Sequence, residues 1–159
     1  MKIITNFSPN YSKKSRSLKD IKFIIIHYTG MQSEVEAIKR LRNSKSKVSC
    51  HYLINRKGKV IRMVDDTYIA WHAGKSRWKN FVNLNKNSLG IELVNNGFEK
   101  FPLKQMNSLV LLLKYLKNKY KIDKKYVLGH SHIAPDRKID PGPLFPWFFL
   151  AKRGLSKLY

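Results

Sequence analysis

The sequence predicts a single α/β domain in which a mixed β-sheet is flanked by α-helices. Three observations lead to this fold class. Short β-branched runs such as Phe23–Tyr28 alternate along the chain with amphipathic segments such as Leu103–Tyr120, as in folds that pack helices on a sheet. The chain has 159 residues, a length that suits one domain with its own core. Its composition, with 43% hydrophobic and 26% charged residues, is that of an ordinary globular protein.

Local patterns predict the elements of the first half of the chain. The run Phe23–Tyr28 is apolar and ends at Thr29-Gly30, which predicts a buried strand. Ser33–Arg42 has apolar residues at helical spacing behind a capping-box pattern, which predicts a helix. The segments 49–55 and 59–64 flank Lys57-Gly58 and are expected to form a hairpin.

The second half is predicted in the same way. Residues 65–84 show no periodicity and are expected to be irregular. Ser88–Val94 predicts another strand, and Leu103–Tyr120 predicts the longest helix, because its apolar residues form one stripe opposite a lysine-rich face. Tyr126–Gly129 predicts a short strand, and Phe145–Lys152 a last helix. Strands and helices therefore alternate within one unit.

Residues 1–20 are polar and are expected to form an extended lead-in to a folded domain that spans residues 21–159. They contain no apolar stretch typical of a secretory signal peptide, and no run in the chain approaches the roughly 20 residues of a transmembrane helix. The only cysteine, Cys50, excludes an internal disulfide and a cysteine-rich zinc module. These features predict a soluble protein without a transmembrane segment.

The net charge of +22 invites a nucleic-acid-binding interpretation, because Lys and Arg that neutralise phosphates drive such binding. However, the charge is spread over both halves of the chain, and Lys outnumbers Arg 24 to 8. Arg is the residue preferred for forked contacts with phosphates and bases. We therefore expect no specific nucleic-acid partner. We interpret the charge as an ordinary solvated surface, and the alternative is that it attracts an anionic substrate.

Two histidines and one aspartate are candidates for a metal site. His27 ends an apolar strand, and His130 directly follows another, at positions where α/β domains place active sites. Asp140 lies ten residues after His130 in a proline-rich loop that can fold back towards it. Two histidines and one carboxylate leave one position open on a tetrahedral Zn²⁺, as in catalytic zinc sites. Spacing alone makes this assignment weak, because His27 and His130 are far apart in the sequence.

Five motifs occur in an order that resembles one enzyme family. They are FIIIHYTG (residues 23–30), VSCHYLI (48–54), AWHAG (70–74), SLGIELV (88–94) and GHSHIAPDRKIDPGPLFPW (129–147). Together they are similar to the zinc-dependent N-acetylmuramoyl-L-alanine amidases, which share a fold with the peptidoglycan-recognition proteins. The resemblance covers roughly residues 5–155, and five ordered motifs are far more specific than any single one.

The resemblance implies a function for each matching position. His27, His130 and Asp140 match the ligands of a Zn²⁺ cofactor, Glu92 matches the catalytic glutamate, and Lys138 matches the catalytic lysine. The implied substrate is a muropeptide or peptidoglycan, cut at the amide between N-acetylmuramic acid, or its 1,6-anhydro form, and L-alanine. The residues suit this chemistry, because Glu92 is the one carboxylate in an otherwise apolar run and a carboxylate there needs a partner or a role.

Five further residues are candidates for the substrate groove or for contacts behind the metal ligands: Tyr28, Thr29, Trp71, His72 and His132. Tyr28 and Thr29 directly follow a ligand. Trp71 is suited to rigid contact with a sugar or peptide, and packing of a long loop is its structural alternative. His132 stands where the family usually has Asp, so it is either a contact of a ligand, an alternative ligand, or neither.

The alternative function is a peptidoglycan-recognition module that binds without cutting. Such relatives typically lack a metal ligand, whereas all three ligands are present in this chain. We expect a cytoplasmic monomer that acts on soluble fragments, since no appended wall-binding module is seen. The alternative location is the cell wall, reached without a signal peptide as by a phage-type lytic enzyme.

Overall fold

The computed structural model describes residues 1–159. Ten strands are formed: β1 (Ile3–Thr5), β2 (Tyr11–Ser12), β3 (Phe23–Tyr28), β4 (Tyr52–Ile54), β5 (Val60–Arg62), β6 (Ile69–Ala70), β7 (Arg77–Trp78), β8 (Phe81–Val82), β9 (Ser88–Leu93) and β10 (Val127–Gly129). Four α-helices accompany them: α1 (Glu34–Arg42), α2 (Leu103–Tyr120), α3 (His130–Ile133) and α4 (Trp147–Ala151). None of these helices combines the length and apolarity needed to cross a lipid bilayer.

Six strands form the central sheet in the order β1-β5-β4-β9-β3-β10. Only the β4–β5 hairpin is antiparallel, and every other neighbouring pair in this sheet is parallel. The sheet is therefore mixed, with the parallel strands β9, β3 and β10 side by side. This architecture confirms the predicted fold class, a mixed sheet flanked by helices.

Side chains along β3 alternate between the two faces of the sheet. Ile24 and Ile26 enter the main core, which helix α2 covers with its apolar stripe. Phe23 and Ile25 enter a smaller cluster on the opposite face. Because side chains alternate with a period of two, His27 follows Phe23 and Ile25 onto that opposite face. The functional side of the sheet is therefore the face that α2 does not cover.

The register of β3 and β9 aligns the residues that carry the predicted chemistry. His27 lies opposite Glu92 in this parallel pair. On the other side of β3, Gly129 of β10 lies opposite Ile26, so His130 follows at the same end of the sheet. Carboxyl ends of parallel strands meet at one edge, and open α/β sheets bind their ligands there. The topology thus assembles one candidate site from three strand ends.

The structure differs from the sequence prediction in two regions. Within the polar lead-in, Ile3–Thr5 forms an edge strand that pairs with β5, and Tyr11–Ser12 pairs with β6. Within residues 65–84, which were expected to be irregular, β6, β7 and β8 each contain two residues. Strands β1, β2 and β6 pair with strands that are distant in the sequence, whereas β7 and β8 pair with each other. With two or three residues each, none of them is long enough to show a periodic pattern.

A buried carboxylate ties the hairpin to helix α2. Asp66 is 3% exposed and accepts hydrogen bonds from Tyr52 Oη at 2.7 Å, from Lys119 Nζ at 3.1 Å and from Tyr120 Oη. Burial pushes the pKa of Asp66 upwards, but these hydrogen bonds outweigh it and hold the pKa below its ordinary value. The network links the loop after β5 to the C-terminal turn of α2.

Candidate metal centre and active site

Three side chains converge at the carboxyl edge of the sheet. His27 ends β3, His130 opens α3 directly after β10, and Asp140 arrives on the loop that follows α3. That loop is folded back by hydrogen bonds from Ser131 N to Asp140 O (2.9 Å) and from Lys138 N to Ala134 O (3.0 Å). The predicted return of Asp140 towards His130 is therefore present.

The three donor atoms form a tight triangle. His27 Nδ1 lies 2.8 Å from Asp140 Oδ2 and 3.0 Å from His130 Nδ1, and His130 Nδ1 lies 3.2 Å from Asp140 Oδ2. A tetrahedral ion with bonds of about 2.0 Å separates its ligand atoms by about 3.3 Å. All three side chains are buried, at 2%, 3% and 8% exposure for His27, His130 and Asp140. These residues have the spacing of a group that can hold one metal ion.

The protonation states suit metal binding. Burial lowers the pKa of His27 to about 4, so the imidazole is neutral at pH 7. Burial alone would raise the pKa of Asp140, but the close approach of His130 and His27 outweighs it and holds that pKa below its usual range. A neutral imidazole and an ionised carboxylate are the forms that coordinate metals. His27 and Asp140 are therefore in the forms that bind a divalent ion.

Glu92 faces the same site from the neighbouring strand. Its Oε2 atom is shielded from water and has no hydrogen-bond partner in the fold. Burial, followed by the charge of Asp140, raises the pKa of Glu92 well above its ordinary value. An unpartnered carboxylate with a raised pKa beside a metal site has the properties of a proton acceptor and donor.

A groove of about 520 Å³ opens above the donor triangle. Besides His27, His130, Asp140 and Glu92, its walls contain five of the predicted residues: Tyr28, Thr29, Trp71, His72 and Lys138. Lys138 lies two residues before Asp140 on the loop, so the loop that supplies a ligand also supplies a cation. The structure thus brings nine of the ten predicted site residues to one groove.

Several of these groove residues also have structural partners. Thr29 Oγ1 donates to Met31 O at 3.0 Å, which fixes the turn after β3. Trp71 Nε1 donates to Ser12 Oγ at 3.2 Å and so contacts the N-terminal lead-in. The ring of Tyr28 packs so closely on Gly97 that a Cβ atom there would lie 2.9 Å from Tyr28 Cζ.

His132 is the predicted residue that the structure does not bring to the groove. Its Nδ1 accepts a hydrogen bond from Gly129 N at 3.0 Å, and its ring packs against Trp147 and Tyr159. It is absent from the group of donors formed by His27, His130 and Asp140. In this chain the side chain therefore caps the short helix α3 and contacts the C-terminal segment.

Two arginines of the groove, Arg40 and Arg137, were not predicted. Arg137 precedes Lys138 in the same loop, and this position beside a predicted catalytic residue could have indicated that it lines the groove. Its guanidinium donates to Ala73 O and, at 3.0 Å through Nε, to Lys75 O. Arg40 lies on α1, where nothing in the helical pattern separates it from other surface cations.

Comparison with known proteins assigns the chain to a class. The protein family described as "N-acetylmuramoyl-L-alanine amidase" matches residues 17–143, most of the chain. The protein belongs to this family, which uses a metal ion. The match includes every residue of the donor triangle together with Glu92 and Lys138.

Individual relatives agree with this assignment. N-acetylmuramoyl-L-alanine amidase AmiD of Escherichia coli K12 is 38% identical over 152 residues, covering 86% of this chain and 54% of that protein. 1,6-Anhydro-N-acetylmuramyl-L-alanine amidase AmpD of Haemophilus influenzae is 32% identical over 158 residues, covering 88% of this chain and 85% of its own length. The chain thus spans about half the length of E. coli AmiD and most of the length of H. influenzae AmpD.

The fold is also that of solved amidase structures. The complex of E. coli AmiD with the substrate anhydro-N-acetylmuramic acid-L-Ala-D-gamma-Glu-L-Lys superposes with a TM-score of 0.82 at 34% identity. The superposition covers 92% of this chain and 61% of that chain. The expected amidase fold is therefore confirmed.

Proposed function

We propose that this protein hydrolyses the amide bond between N-acetylmuramic acid, or its 1,6-anhydro form, and the L-alanine of the stem peptide. The observation that carries the proposal is the buried triangle of His27 Nδ1, His130 Nδ1 and Asp140 Oδ2, which lies beside the unpartnered Glu92 Oε2. Support also comes from AmiD and AmpD, whose names describe this bond.

We propose Zn²⁺ as the ion held by His27, His130 and Asp140. Two imidazole nitrogens and one carboxylate oxygen are the donors that zinc takes in catalytic sites, where one position stays open. When bound, zinc lowers the pKa of water towards 7 and polarises the carbonyl of the scissile amide.

Glu92 moves the proton in the proposed reaction. Its carboxylate accepts a proton from the attacking water as the oxygen–carbon bond forms. The same proton then passes to the amide nitrogen, so the carbon–nitrogen bond breaks and the stem peptide leaves with a free amino group. The raised pKa of Glu92 suits this double role, because the group must both take and return the proton.

Lys138 stabilises negative charge in the proposed reaction. Its side chain lines the groove on the loop that carries Asp140. A cation fixed at the groove stabilises the oxyanion that develops on the carbonyl oxygen, which is the term that contributes most in many acyl-transfer sites. Arg40 and Arg137 add positive charge to the same walls and suit the carboxylates of a stem peptide.

We place the catalytic domain at residues 21–159, with residues 1–20 packed against it through β1 and β2. A cytoplasmic monomer that acts on free fragments remains our expectation. A panel of free anhydro-muropeptides and intact peptidoglycan tests the substrate. Action on free fragments predicts release of stem peptide from the muropeptides alone, whereas action on the wall predicts its release from both.

The test of the proposed function is hydrolysis of a purified muropeptide followed by mass spectrometry. We expect release of the stem peptide by the zinc-loaded protein, loss of release after treatment with a chelator, and its return when Zn²⁺ is added. A recognition module would instead bind the muropeptide and leave it intact. Intact substrate in the presence of zinc-loaded protein would contradict the proposal.

A further inference from the structure

A chain of hydrogen bonds runs from the backbone to the metal ligand His27. It begins at Ser88, a fully buried residue at the start of β9. Ser88 Oγ donates its only proton to Leu84 O at 2.6 Å. Its oxygen also lies 3.1 Å from His72 Nε2, and with its proton already committed it can only accept there. His72 Nε2 must therefore carry the proton of this contact.

The protonation of His72 then fixes that of His27. A neutral imidazole has one N–H, so a proton on His72 Nε2 leaves a lone pair on His72 Nδ1. His72 Nδ1 lies 3.1 Å from His27 Nε2. That contact needs a donor, which is the Nε2–H of His27. The lone pair of His27 is consequently on Nδ1, the atom that faces Asp140 Oδ2 and His130 Nδ1.

His130 is oriented by the residue next to His72. Its Nε2 lies 3.0 Å from Ala73 O, and a carbonyl oxygen can only accept. His130 Nε2 therefore carries its proton, and its Nδ1 lone pair also faces the triangle. Two consecutive residues, through one side chain and one carbonyl, thus act on both histidine ligands.

The segment that holds these two groups is itself held in place. Asn85 Oδ1 accepts from the backbone N–H groups of His72 and Ala73, at 3.1 and 2.7 Å. Gly90 provides the space for the His72 ring, because a Cβ atom there would lie 2.4 Å from His72 Cγ. Arg137 fixes the other end through its contacts with Ala73 O and Lys75 O.

From this geometry we infer that His72 and the carbonyl of Ala73 are positioning groups that hold both histidine ligands with their Nδ1 lone pairs directed at the metal. The inference rests on the proposed metal site and extends it to two groups outside the donor triangle. Partners of this kind fix the tautomer and orientation of ligating histidines, and their loss costs about 10- to 100-fold in metal affinity.

The first test measures the Zn²⁺ dissociation constant by competition with a chelator of known affinity. His72→Leu removes the acceptor for His27 Nε2–H, and we expect affinity to fall by about 10- to 100-fold. His72→Asn places an amide oxygen, Oδ1, at the δ position that Nδ1 occupies, and we expect it to retain most of the affinity. Equal loss in both variants, or no loss in His72→Leu, would overturn the inference.

Two further variants perturb the chain without altering His72 itself. Ser88→Ala removes the acceptor that fixes the His72 tautomer, and Gly90→Ala displaces the ring through its new Cβ atom. Both are expected to weaken Zn²⁺ binding. Ser8→Ala is the matched control, because Ser8 is also buried and donates to a carbonyl, that of Leu41, but contacts none of these residues. Zinc affinity should be unchanged in that control, and an equal loss there would contradict the inference.

A second measurement needs no variant. In the zinc-loaded wild-type protein, long-range ¹H–¹⁵N spectra of the imidazole rings report which nitrogen carries the proton. We expect His72 as the Nε2–H tautomer, and the Nδ1–H tautomer would overturn the inference. Failure of the proposed metal site is distinguished by the wild type, which would then bind no Zn²⁺ at all. Wild-type binding with unchanged variants would instead reject only the role of His72.

Discussion

Replacement of Glu92 by Gln separates the chemistry of the site from its architecture. The amide has nearly the size of the carboxylate, and Glu92 Oε2 has no hydrogen-bond partner that the change removes. Glu92 is also absent from the donor triangle, which contains only His27, His130 and Asp140. The substitution therefore removes the proposed proton acceptor and leaves the ligands in place.

The expected loss of activity follows from the role of a general base. Such groups contribute typically 10²- to 10⁴-fold to the rate. This corresponds to about 3–5 kcal/mol of transition-state stabilisation. We expect kcat for release of the stem peptide to fall by this factor in Glu92→Gln. Thermal stability should not fall, because burial of a carboxylate already disfavours its charged form.

Three measurements on one preparation test this reasoning: zinc content, the melting temperature, and kcat on a purified muropeptide. Glu36→Gln serves as the control, since Glu36 is exposed on α1 and is not among the residues that line the groove. Loss of zinc in the Glu92→Gln protein would refute the division of roles, because Glu92 would then contribute to metal binding. Retention of full activity would refute its role as the base.

The remaining predictions concern the ligand, the oxyanion and the fold. Asp140→Ala removes one of three donors, and we expect zinc to be lost on dialysis while circular dichroism stays native-like. Lys138→Ala should retain zinc and lower kcat by about 10²- to 10³-fold, as for loss of one oxyanion donor; an unchanged kcat would exclude this role. Asp66→Asn should lower the free energy of unfolding by roughly 2–4 kcal/mol at pH 7, because hydrogen bonds to a buried charged group are weakened. The folded-state pKa of Asp66 is depressed, so its stabilisation is present above the unfolded pKa of about 4 and is lost as pH falls. Denaturant titrations should therefore show that the difference in unfolding free energy between Asp66→Asn and the wild type shrinks below about pH 4. A difference that is constant with pH would contradict this account.

The strands and helices that position the site were predictable from local patterns. Phe23–Tyr28 was identified as a buried strand, and Leu103–Tyr120 as a helix, with the bounds that the structure gives them. Their patterns are complete within the segment, because β3 is buried on both faces and α2 has one apolar stripe. The ends of β3 and β10 then place His27 and His130 at one edge of the sheet.

The shortest strands of the fold were not predictable from local patterns. Strand β1 consists of Ile3–Thr5 and exists because β5 offers it a free edge. Strand β6 pairs with the distant Tyr11–Ser12, whereas β7 and β8 pair with each other in a short hairpin. No local pattern of two or three residues distinguishes such strands from a loop, so the sequence indicated only irregular structure.

The site shows the same division. The motifs identified the donor triangle, Glu92 and Lys138 as candidates, and the structure brings them together. His72 was expected in the groove or behind a ligand, but the sequence does not reveal that Ser88 sets its protonation. That connection depends on two distances of 3.1 Å across separate elements. His132 shows the opposite case. It is close to His130 in the sequence, which suggested a place in the groove, but its side chain turns to Gly129 and does not line the groove.

Only part of the net charge of +22 lies at the proposed site. Arg40, Arg137 and Lys138 line the groove, so part of the charge faces the proposed substrate. The remaining cations are spread over the surface, where they are screened within about 8–10 Å at physiological ionic strength. Attraction of anionic muropeptides by this surface would raise the association rate and would weaken as salt is added.

We propose that one zinc ion, held by His27, His130 and Asp140, is required for cleavage of the muramoyl–alanine amide. The most direct measurement is a titration of metal-free protein with Zn²⁺, in which the initial rate of stem-peptide release is recorded at each addition. We predict no release before zinc is added, a linear rise in rate, and saturation at one zinc per chain. Full activity in the metal-free protein, or no product at saturating zinc, would contradict the account.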